Sequence, residues 1–330
     1  MLMRVLRQEK GISIKSTQKR ALMNMGYYHG YKGYRYISNP SNRVLYTAFD
    51  ELLAIYKFDA QIKSLFYPSV MLIETALKNY VLEIITSETG TDSFPDVYNQ
   101  LLDNYKSFST AGKSFKSDYH RKQAEDKFKR ELKRRLDLRN RIYKIQSDAF
   151  GNENKIAKHY LEQDRNMPVW AIFELLSLGE FGCFVSCLNL ACRQKISSKL
   201  GIRQSDDSAA LLPQRLIYAI KDLRNAIAHN DVIFDTRFKT GAIDKHVGNA
   251  ISNVTRIKTI TFDTITDYLI MIVYVLKLLG ATKNELKKLV RDFEEIVEHL
   301  RTAIPTSIFG QIIHTDSTSK LQLLKQYIAK

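Results

Sequence analysis

The stretch Leu216-Ile-Tyr-Ala-Ile-Lys-Asp-Leu-Arg-Asn-Ala-Ile-Ala-His-Asn-Asp231 decides how this chain folds and where its chemistry is expected. Its apolar residues recur every three or four positions, which predicts an amphipathic helix with one stripe against a core. The residues of this stripe are Leu216, Ile220, Leu223 and Ile227. Asn230 and Asp231 favour turns over helix interiors, so we expect the helix to end there.

Polar side chains lie off this stripe, near the expected helix end. Arg224 offers a permanently charged fork that suits phosphate, and His229 can exchange a proton near neutrality. Asn225 shares a helix face with His229, but Arg224 and His229 lie about 140° apart around an ideal helix. Either the helix breaks here or a second copy of the motif completes the site. The alternative is a structural helix end, with His229 on the last carbonyls and Arg224 in a surface ion pair.

Composition points to a folded protein that attracts polyanions. The 330 residues are 45% hydrophobic and carry a net charge of +15, which favours nucleic acid or an anionic membrane as partner. Three cysteines with no common zinc spacing indicate a reducing cytosol and no metal site. Charges early in the chain argue against a secretory signal. The apolar run Tyr268–Leu276 is too short to cross a membrane and predicts a buried helix.

Two basic segments are candidate RNA surfaces. The segment Tyr27-Tyr-His-Gly-Tyr-Lys-Gly-Tyr-Arg-Tyr36 interleaves tyrosines, which can stack on bases, with cations that can meet phosphates. Its candidate contacts are Tyr27, Tyr28, Tyr31, Lys32 and Arg35. The run Arg121–Lys144 has eleven basic and four acidic residues, which predicts a solvated helix that can follow a phosphate backbone. Its candidates are Lys129, Arg130, Lys133 and Arg134. The alternatives are that the tyrosines only pack a turn and that the helix is only solvated.

Three other residues are candidates for supporting roles. Lys78 and Glu74 have the spacing of a helical ion pair. Glu174 lies in an apolar helix, where a buried carboxylate needs a partner such as Arg224 or Lys78. Asn230 follows the proposed proton carrier directly. A structural ion pair is the alternative for Glu74, and a position at a helix end or at the solvent rim is the alternative for Glu174.

The remaining segments also indicate helices. In the first half of the chain, the predictions are a helix from Ser16 or Thr17 to Met25, a long helix over Thr47–Ile85 that is either continuous or broken at Pro68, and a short helix near Val97–Tyr105. In the second half, they are a helix after Pro168 that runs to the glycines at 179 and 182, a polar connector at Arg193–Asp207, and a helix from Asn249 or Thr264 to Leu279. A further helix is opened by the capping box Thr282–Glu285, and the stretch Ser319–Ile328 is either a short helix or frayed.

Five blocks, in one order, are similar to a known family. They are Met25-Gly-Tyr-Tyr28, Tyr56-Lys-Phe-Asp59, Ile73-Glu-Thr-Ala-Leu-Lys-Asn79, Trp170-Ala-Ile-Phe-Glu-Leu-Leu-Ser-Leu-Gly179 and Leu223-Arg-Asn-Ala-Ile-Ala-His-Asn230. Together they resemble the Abi family of bacterial abortive-infection proteins of the AbiD/AbiF type, within the HEPN superfamily of all-α ribonucleases. The resemblance covers about residues 16 to 235.

The resemblance implies an all-α, HEPN-like helical bundle with additional N- and C-terminal helices. We expect an N-terminal segment at 1–45, a core at 46–305 with a basic insertion around 115–150, and a tail or helix at 306–330, with no clean domain cut. The resemblance also implies that Arg224 and His229 match the Arg-x4-His ribonuclease motif, with Asn225 in its polar second position. The implied site needs no metal or cofactor and forms in a homodimer. Arg139-Asn140 begins like a second motif, but position 144 is Lys.

These observations lead to one functional hypothesis and two alternatives. We expect a cytoplasmic, metal-independent endoribonuclease that arrests growth in phage defence. A non-catalytic RNA-binding module, held by a cognate non-coding RNA or bound to ribosomes, would use the same residues to grip phosphate. A helical partner domain for a nucleotide or a protein antitoxin is the third possibility.

Overall fold

A computed structural model describes residues 2–330, with side-chain surroundings from residue 3 onward; Met1, in the expected segment 1–45, lies outside the described residues. Across the described residues the chain is helical and has isolated β-bridges but no strand, which confirms the all-α class. The helices are α1 (Leu2–Arg4), α2 (Lys19–Met25), α3 (Phe49–Thr89), α4 (Phe94–Gln100), α5 (Asp118–Gly151), α6 (Lys155–Leu161), α7 (Val169–Leu175), α8 (Leu178–Cys187), α9 (Leu190–Lys199), α10 (Leu212–Ala228), α11 (Lys245–Thr255), α12 (Ile265–Leu278), α13 (Lys283–Ala303), α14 (Thr306–Ile313) and α15 (Ser317–Ala329). Shorter π or 3₁₀ turns cover Val5–Glu9, Ser16–Gln18, Tyr27–Lys32 and Asn104–Phe108.

The chain forms two compact units. One consists of the chain up to Ile73 together with Asp222–Lys330, and the other is Glu74–Lys221. Because α3 and α10 each contribute residues to both units, helices rather than a linker cross the division. The sequence therefore has no linker at the division between the two units.

The core of the first unit is built around α12. Every residue from Tyr268 to Leu276 is buried, which confirms the predicted buried helix. The rings of Phe66 in α3 and Phe293 in α13 stack with centroids 6.2 Å apart. Thr282 and Glu285 form the predicted capping box at the start of α13. Over residues 2–330, no helix combines the length and apolar character that a membrane crossing requires.

The core of the second unit contains an aromatic cluster between α7 and α8. The ring of Phe173 meets those of Phe181 and Phe184 edge-on, at 5.3 and 5.0 Å between centroids. The prediction of a single helix after Pro168 is wrong, because α7 ends at Leu175 and α8 begins at Leu178 with Ser177 as its N-cap. The Ser177 hydroxyl accepts a hydrogen bond from the Glu180 amide, and the Glu180 carboxylate accepts one from the Ser177 amide. This capping box was not predicted.

Pro68 does not interrupt α3, so of the two possibilities the continuous helix is the one that forms. Proline removes one helical hydrogen bond and clashes with the preceding turn, at about 3 kcal/mol. Pro68 itself is exposed, but Phe66 and Val70 beside it are fully buried. Burial of these two side chains holds the helix together across the proline.

One further prediction needs correction, and one alternative is decided. The polar connector expected at Arg193–Asp207 contains most of α9, which begins because the Asn189 side chain accepts from the Cys192 amide. Of the two starts proposed for the helix that reaches Leu279, Thr264 is confirmed as the N-cap of α12, and α11 is a separate helix before it.

Other predictions are confirmed. Met25 ends α2 before Gly26, which has a φ of +73°. The basic run lies in α5, and the predicted last helix is α15. The short α14 before it was not predicted.

Candidate functional site

The apolar stripe of α10 is buried as predicted. Leu216, Ile220, Leu223 and Ile227 all lie in the protein interior. Their burial fixes the rotation of the helix about its axis and therefore the direction in which its polar residues point.

Directly after Ala228 the chain makes a Schellman turn that ends α10. The amide of Asn230 donates to the carbonyl of Ile227 at 3.2 Å, and the amide of Asp231 donates to that of Ala226 at 2.8 Å. Asn230 has a φ of +56°, a left-handed conformation that asparagine adopts more readily than most residues. The helix end predicted at Asn230 and Asp231 is confirmed.

The three proposed catalytic residues lie on this last part of α10. His229 is exposed, and its amide still donates to the Asn225 carbonyl at 2.9 Å, so it keeps a helical position. Arg224 and Asn225 are half-buried, and Nη1 of Arg224 donates to Oδ1 of Asn225 at 3.4 Å. Since the helix is regular here, Arg224 and His229 of one chain leave it about 140° apart.

A buried polar group on α3 holds the chain just after the motif. Asp59 is fully buried, and its Oδ1 accepts from the amides of Ile233 and Phe234, both at 2.8 Å. Its Oδ2 accepts from the Tyr34 hydroxyl at 2.8 Å and pairs with Lys63 Nζ at 2.7 Å. Burial, with Asp59 as a further cause, raises the pKa of Tyr34 well above its usual value.

The ammonium of Lys63 continues this buried network to the turn. Its Nζ also donates to Oδ1 of Asn230 at 2.9 Å. Asp59 and Lys63 were not predicted as site-supporting residues, although Asp59 closes one of the family-like blocks. The Asp59 and Lys63 spacing of four on a helix was the available signal.

A second buried carboxylate, Asp235, joins the tyrosine-rich segment to the chain that follows the motif. The guanidinium of Arg237 pairs with Asp235 and donates to the carbonyls of Gly33 and Tyr36 at 2.9 and 2.5 Å. Asp235 also accepts from the Ser38 amide at 2.6 Å. These contacts fasten the tyrosine-rich segment close to the end of α10.

Within the tyrosine-rich segment, the candidate RNA contacts divide into exposed and buried side chains. Tyr28 is 71% exposed and Tyr27 38%, and Lys32 Nζ lies over both rings, 5.7 and 5.4 Å from their centroids. Arg35 is exposed. Tyr31 is buried and stacks on Tyr27, and burial raises its pKa. Tyr31 therefore packs inside the protein, as the alternative interpretation expected. The other four candidates are fully or partly exposed to solvent.

The candidates on α5 belong to the second unit and form a solvated surface. Lys129 and Arg130 are exposed. Lys133 pairs with the exposed Asp137 at 2.6 Å, and Arg134 pairs with the buried Glu131 at 2.6 Å. The buried side of α5 contains Leu138, Ile142 and Gln146.

Glu174 does not have the buried position that the supporting role assumed. Its side chain is exposed, because α7 turns that position outward. Lys78 pairs with Glu74 at 3.2 Å, which confirms the predicted helical ion pair. Lys78 Nζ also donates to the Leu176 carbonyl at 2.9 Å, so its contacts are structural.

The cysteines are free thiols of the second unit. A hydrogen bond with Cys187 is the main cause that lowers the pKa of Cys183 to about 7, with a smaller contribution from Arg134. Burial raises the pKa of Cys192 to about 12. In the part of the chain that the structure describes, no group of three or more His, Cys, Asp or Glu side chains is arranged to hold a metal ion.

The geometry defines an all-helical protein that presents an arginine, an asparagine and a histidine at one helix end. Residues 20–235 match the family model described as Abi-like protein. The match covers well over half of the chain, so the protein belongs to the Abi-like family. Membership supports a role in abortive infection, a form of phage defence. No curated protein and no solved structure matches the chain at a significant level.

Proposed function

We propose that this Abi-like protein is an endoribonuclease of the HEPN type that arrests growth in abortive infection. The main support is the geometry at the end of α10. His229 exposes its imidazole there, the Arg224 guanidinium donates to Asn225, and two backbone hydrogen bonds hold the turn that follows. A net charge of +15 attracts a polyanionic substrate to such a group.

The proposed reaction is attack of an RNA 2′-hydroxyl on the adjacent phosphorus. The bond between the 2′-oxygen and phosphorus forms and that to the 5′-oxygen breaks, which leaves a 2′,3′-cyclic phosphate and a 5′-hydroxyl. His229 moves a proton, either from the 2′-hydroxyl or to the leaving oxygen. Arg224 stabilises the charge that develops on the phosphorane. Asn225 orients that guanidinium through their 3.4 Å hydrogen bond.

A homodimer completes the proposed site. Within one chain, Arg224 and His229 lie on different sides of α10. A second α10 related by a twofold axis brings the histidine of each copy towards the arginine of the other. The proton carrier and the charge stabiliser then act on one phosphodiester.

Two surfaces are proposed to hold the RNA. Tyr27, Tyr28, Lys32 and Arg35 belong to the segment that Arg237 ties beside the motif, which suits stacking and phosphate contact near the scissile bond. The cations of α5 supply sequence-independent attraction along the backbone. We further propose a cytoplasmic protein whose toxicity is restrained by a cognate non-coding RNA or an antitoxin.

The test incubates purified protein with total RNA, with and without EDTA, and identifies the ends formed. The wild-type protein should produce 5′-hydroxyl and 2′,3′-cyclic phosphate ends in EDTA and should spare DNA. His229→Ala should lower the rate by at least about a hundredfold. His299→Ala, at an exposed histidine of α13, is the matched control and should cleave normally.

Two results would contradict the proposal. Cleavage that persists in His229→Ala, or that requires a divalent metal, would move the chemistry away from this motif. Salt-sensitive RNA binding without any fragments would identify a non-catalytic RNA-binding module instead.

A further inference from the structure

The side-chain amide of Asn230 has an orientation that its neighbour dictates. Lys63 Nζ lies 2.9 Å from Oδ1 of Asn230. An ammonium group has three donors and no acceptor, so the amide must turn its oxygen, and not its amino group, towards Lys63. The amino group then faces away from Lys63. Asn230 is exposed, and none of the other residues that the structure describes accepts a hydrogen bond from this group.

Lys63 is itself held in place. It is only 9% exposed, and its 2.7 Å ion pair is with Asp59, which is fully buried and accepts three further hydrogen bonds. A side chain fixed in this way has lost its rotamer freedom before any ligand arrives. The orientation of the Asn230 amide is therefore set in the free protein.

The presented amino group adjoins the proposed reaction centre. Asn230 follows His229 directly, in the turn whose two backbone hydrogen bonds fix the end of α10. Asparagine side chains are common donors to phosphate oxygens in nucleic-acid complexes. We propose that Nδ2 of Asn230 donates a hydrogen bond to a non-bridging phosphate oxygen of RNA bound beside His229, with Lys63 as the positioning residue. This inference rests on the proposed endoribonuclease function.

A competing role for Asn230 is purely conformational. Asparagine suits the left-handed position after a helix, and a residue that served only this purpose would be replaced well by glycine. Asn230→Gly therefore keeps the turn and removes the donor. Asn230→Asp keeps the acceptor for Lys63 and replaces the donor by an oxygen that repels phosphate. Lys63→Met leaves the amide in place without its orienting contact.

The experiment measures kcat/KM on a short single-stranded RNA of mixed sequence for these variants. It also measures RNA affinity with His229→Ala as background, and urea unfolding for each protein. Asn230→Gly should lose about tenfold or more in kcat/KM with the fold intact, because a hydrogen bond to a charged group is lost. Asn230→Asp should lose at least as much, and Lys63→Met less. Thr259→Gly is the control, since Thr259 is also exposed and left-handed, with a φ of +59°.

Wild-type kcat/KM and affinity in Asn230→Gly would overturn the inference and leave the nuclease proposal standing. Absence of cleavage by the wild-type protein would instead remove the nuclease proposal. The measured RNA affinities would then decide. Undiminished RNA binding by Asn230→Gly would overturn the Asn230 contact as well. Weaker binding by Asn230→Gly, without a similar loss in Thr259→Gly, would support the contact.

Discussion

The end of α10 and the basic helix α5 present polar groups to solvent in opposite ways. At α10 a few side chains precede a turn, and the buried residues Asp59 and Lys63 of α3 hold that turn and the chain after it. On α5 many cations lie in water, and their ion pairs, such as Lys133 with Asp137, are largely exposed. The first arrangement suits a reaction that needs fixed geometry, whereas the second suits attraction that tolerates many substrates.

The difference also concerns energy. Exposed ion pairs contribute about 0–1 kcal/mol, because water screens them and long side chains lose freedom to form them. A buried carboxylate with several donors is costly to disturb, because each donor left behind is desolvated and unpaired. Under the proposed function, charge density would mark where RNA gathers, and buried polar contacts would mark where a reactive geometry is held.

The largest expected difference concerns stability. Asp59→Asn removes the charge that Lys63 pairs with inside the protein, and breaking a buried ion pair should lower the free energy of unfolding by about 3 kcal/mol. Lys133→Gln, in the exposed pair of α5, should change it by less than about 1 kcal/mol. Urea denaturation of both variants measures the two effects. If both variants lost the same free energy of unfolding, the buried and the exposed ion pair would contribute equally to stability.

A smaller effect is expected on RNA affinity. Replacing Lys129, Arg130 and Lys133 together by glutamine should reduce the slope of log affinity against log salt concentration by up to about 2. The turnover rate on saturating RNA should change little, because in the proposed function these residues attract RNA and take no part in the reaction. The matched control makes the same charge change on α13, at the exposed Lys287, Lys288 and Arg291. A control slope that falls just as far would show that α5 has no special role.

The smallest expected effect concerns a thiol beside α5. The pKa of Cys183 is lowered to about 7, mainly by Cys187 and in part by Arg134. Its alkylation by iodoacetamide should therefore accelerate as the pH rises through about 7 and should outpace that of Cys192, whose pKa is about 12. Arg134→Gln should slow the reaction at pH 7 by about twofold. Arg130→Gln, a more exposed position, should leave it unchanged, and an equal slowing would show that Arg134 acts only through the general field of α5.

Local sequence patterns predicted part of the fold, whereas features set by tertiary packing were beyond them. The stripe of α10 and the capping box of α13 are local patterns, and both were predicted correctly. The exposed position of Glu174 and the unbroken α3 at Pro68 depend on which faces the tertiary fold buries, and the sequence left both points open.

The same limit applies to the candidate site. Arg224, Asn225 and His229 lie within one short stretch, so their placement on a single helix end followed from periodicity. The hydrogen bond from Lys63 to Asn230 joins residues far apart in the chain. No spacing rule connects them, and only the packed structure brings them together.

Complementation between two inactive chains tests whether the site combines residues of two copies. Arg224→Ala and His229→Ala are co-expressed, and the purified mixture is assayed for RNA cleavage beside each variant alone. If each site takes its arginine from one copy and its histidine from the other, a mixed dimer has one intact site, and a random mixture should recover about a quarter of wild-type activity. Mixed dimers that form but cleave no better than either parent would show that Arg224 of one copy and His229 of the other do not act together.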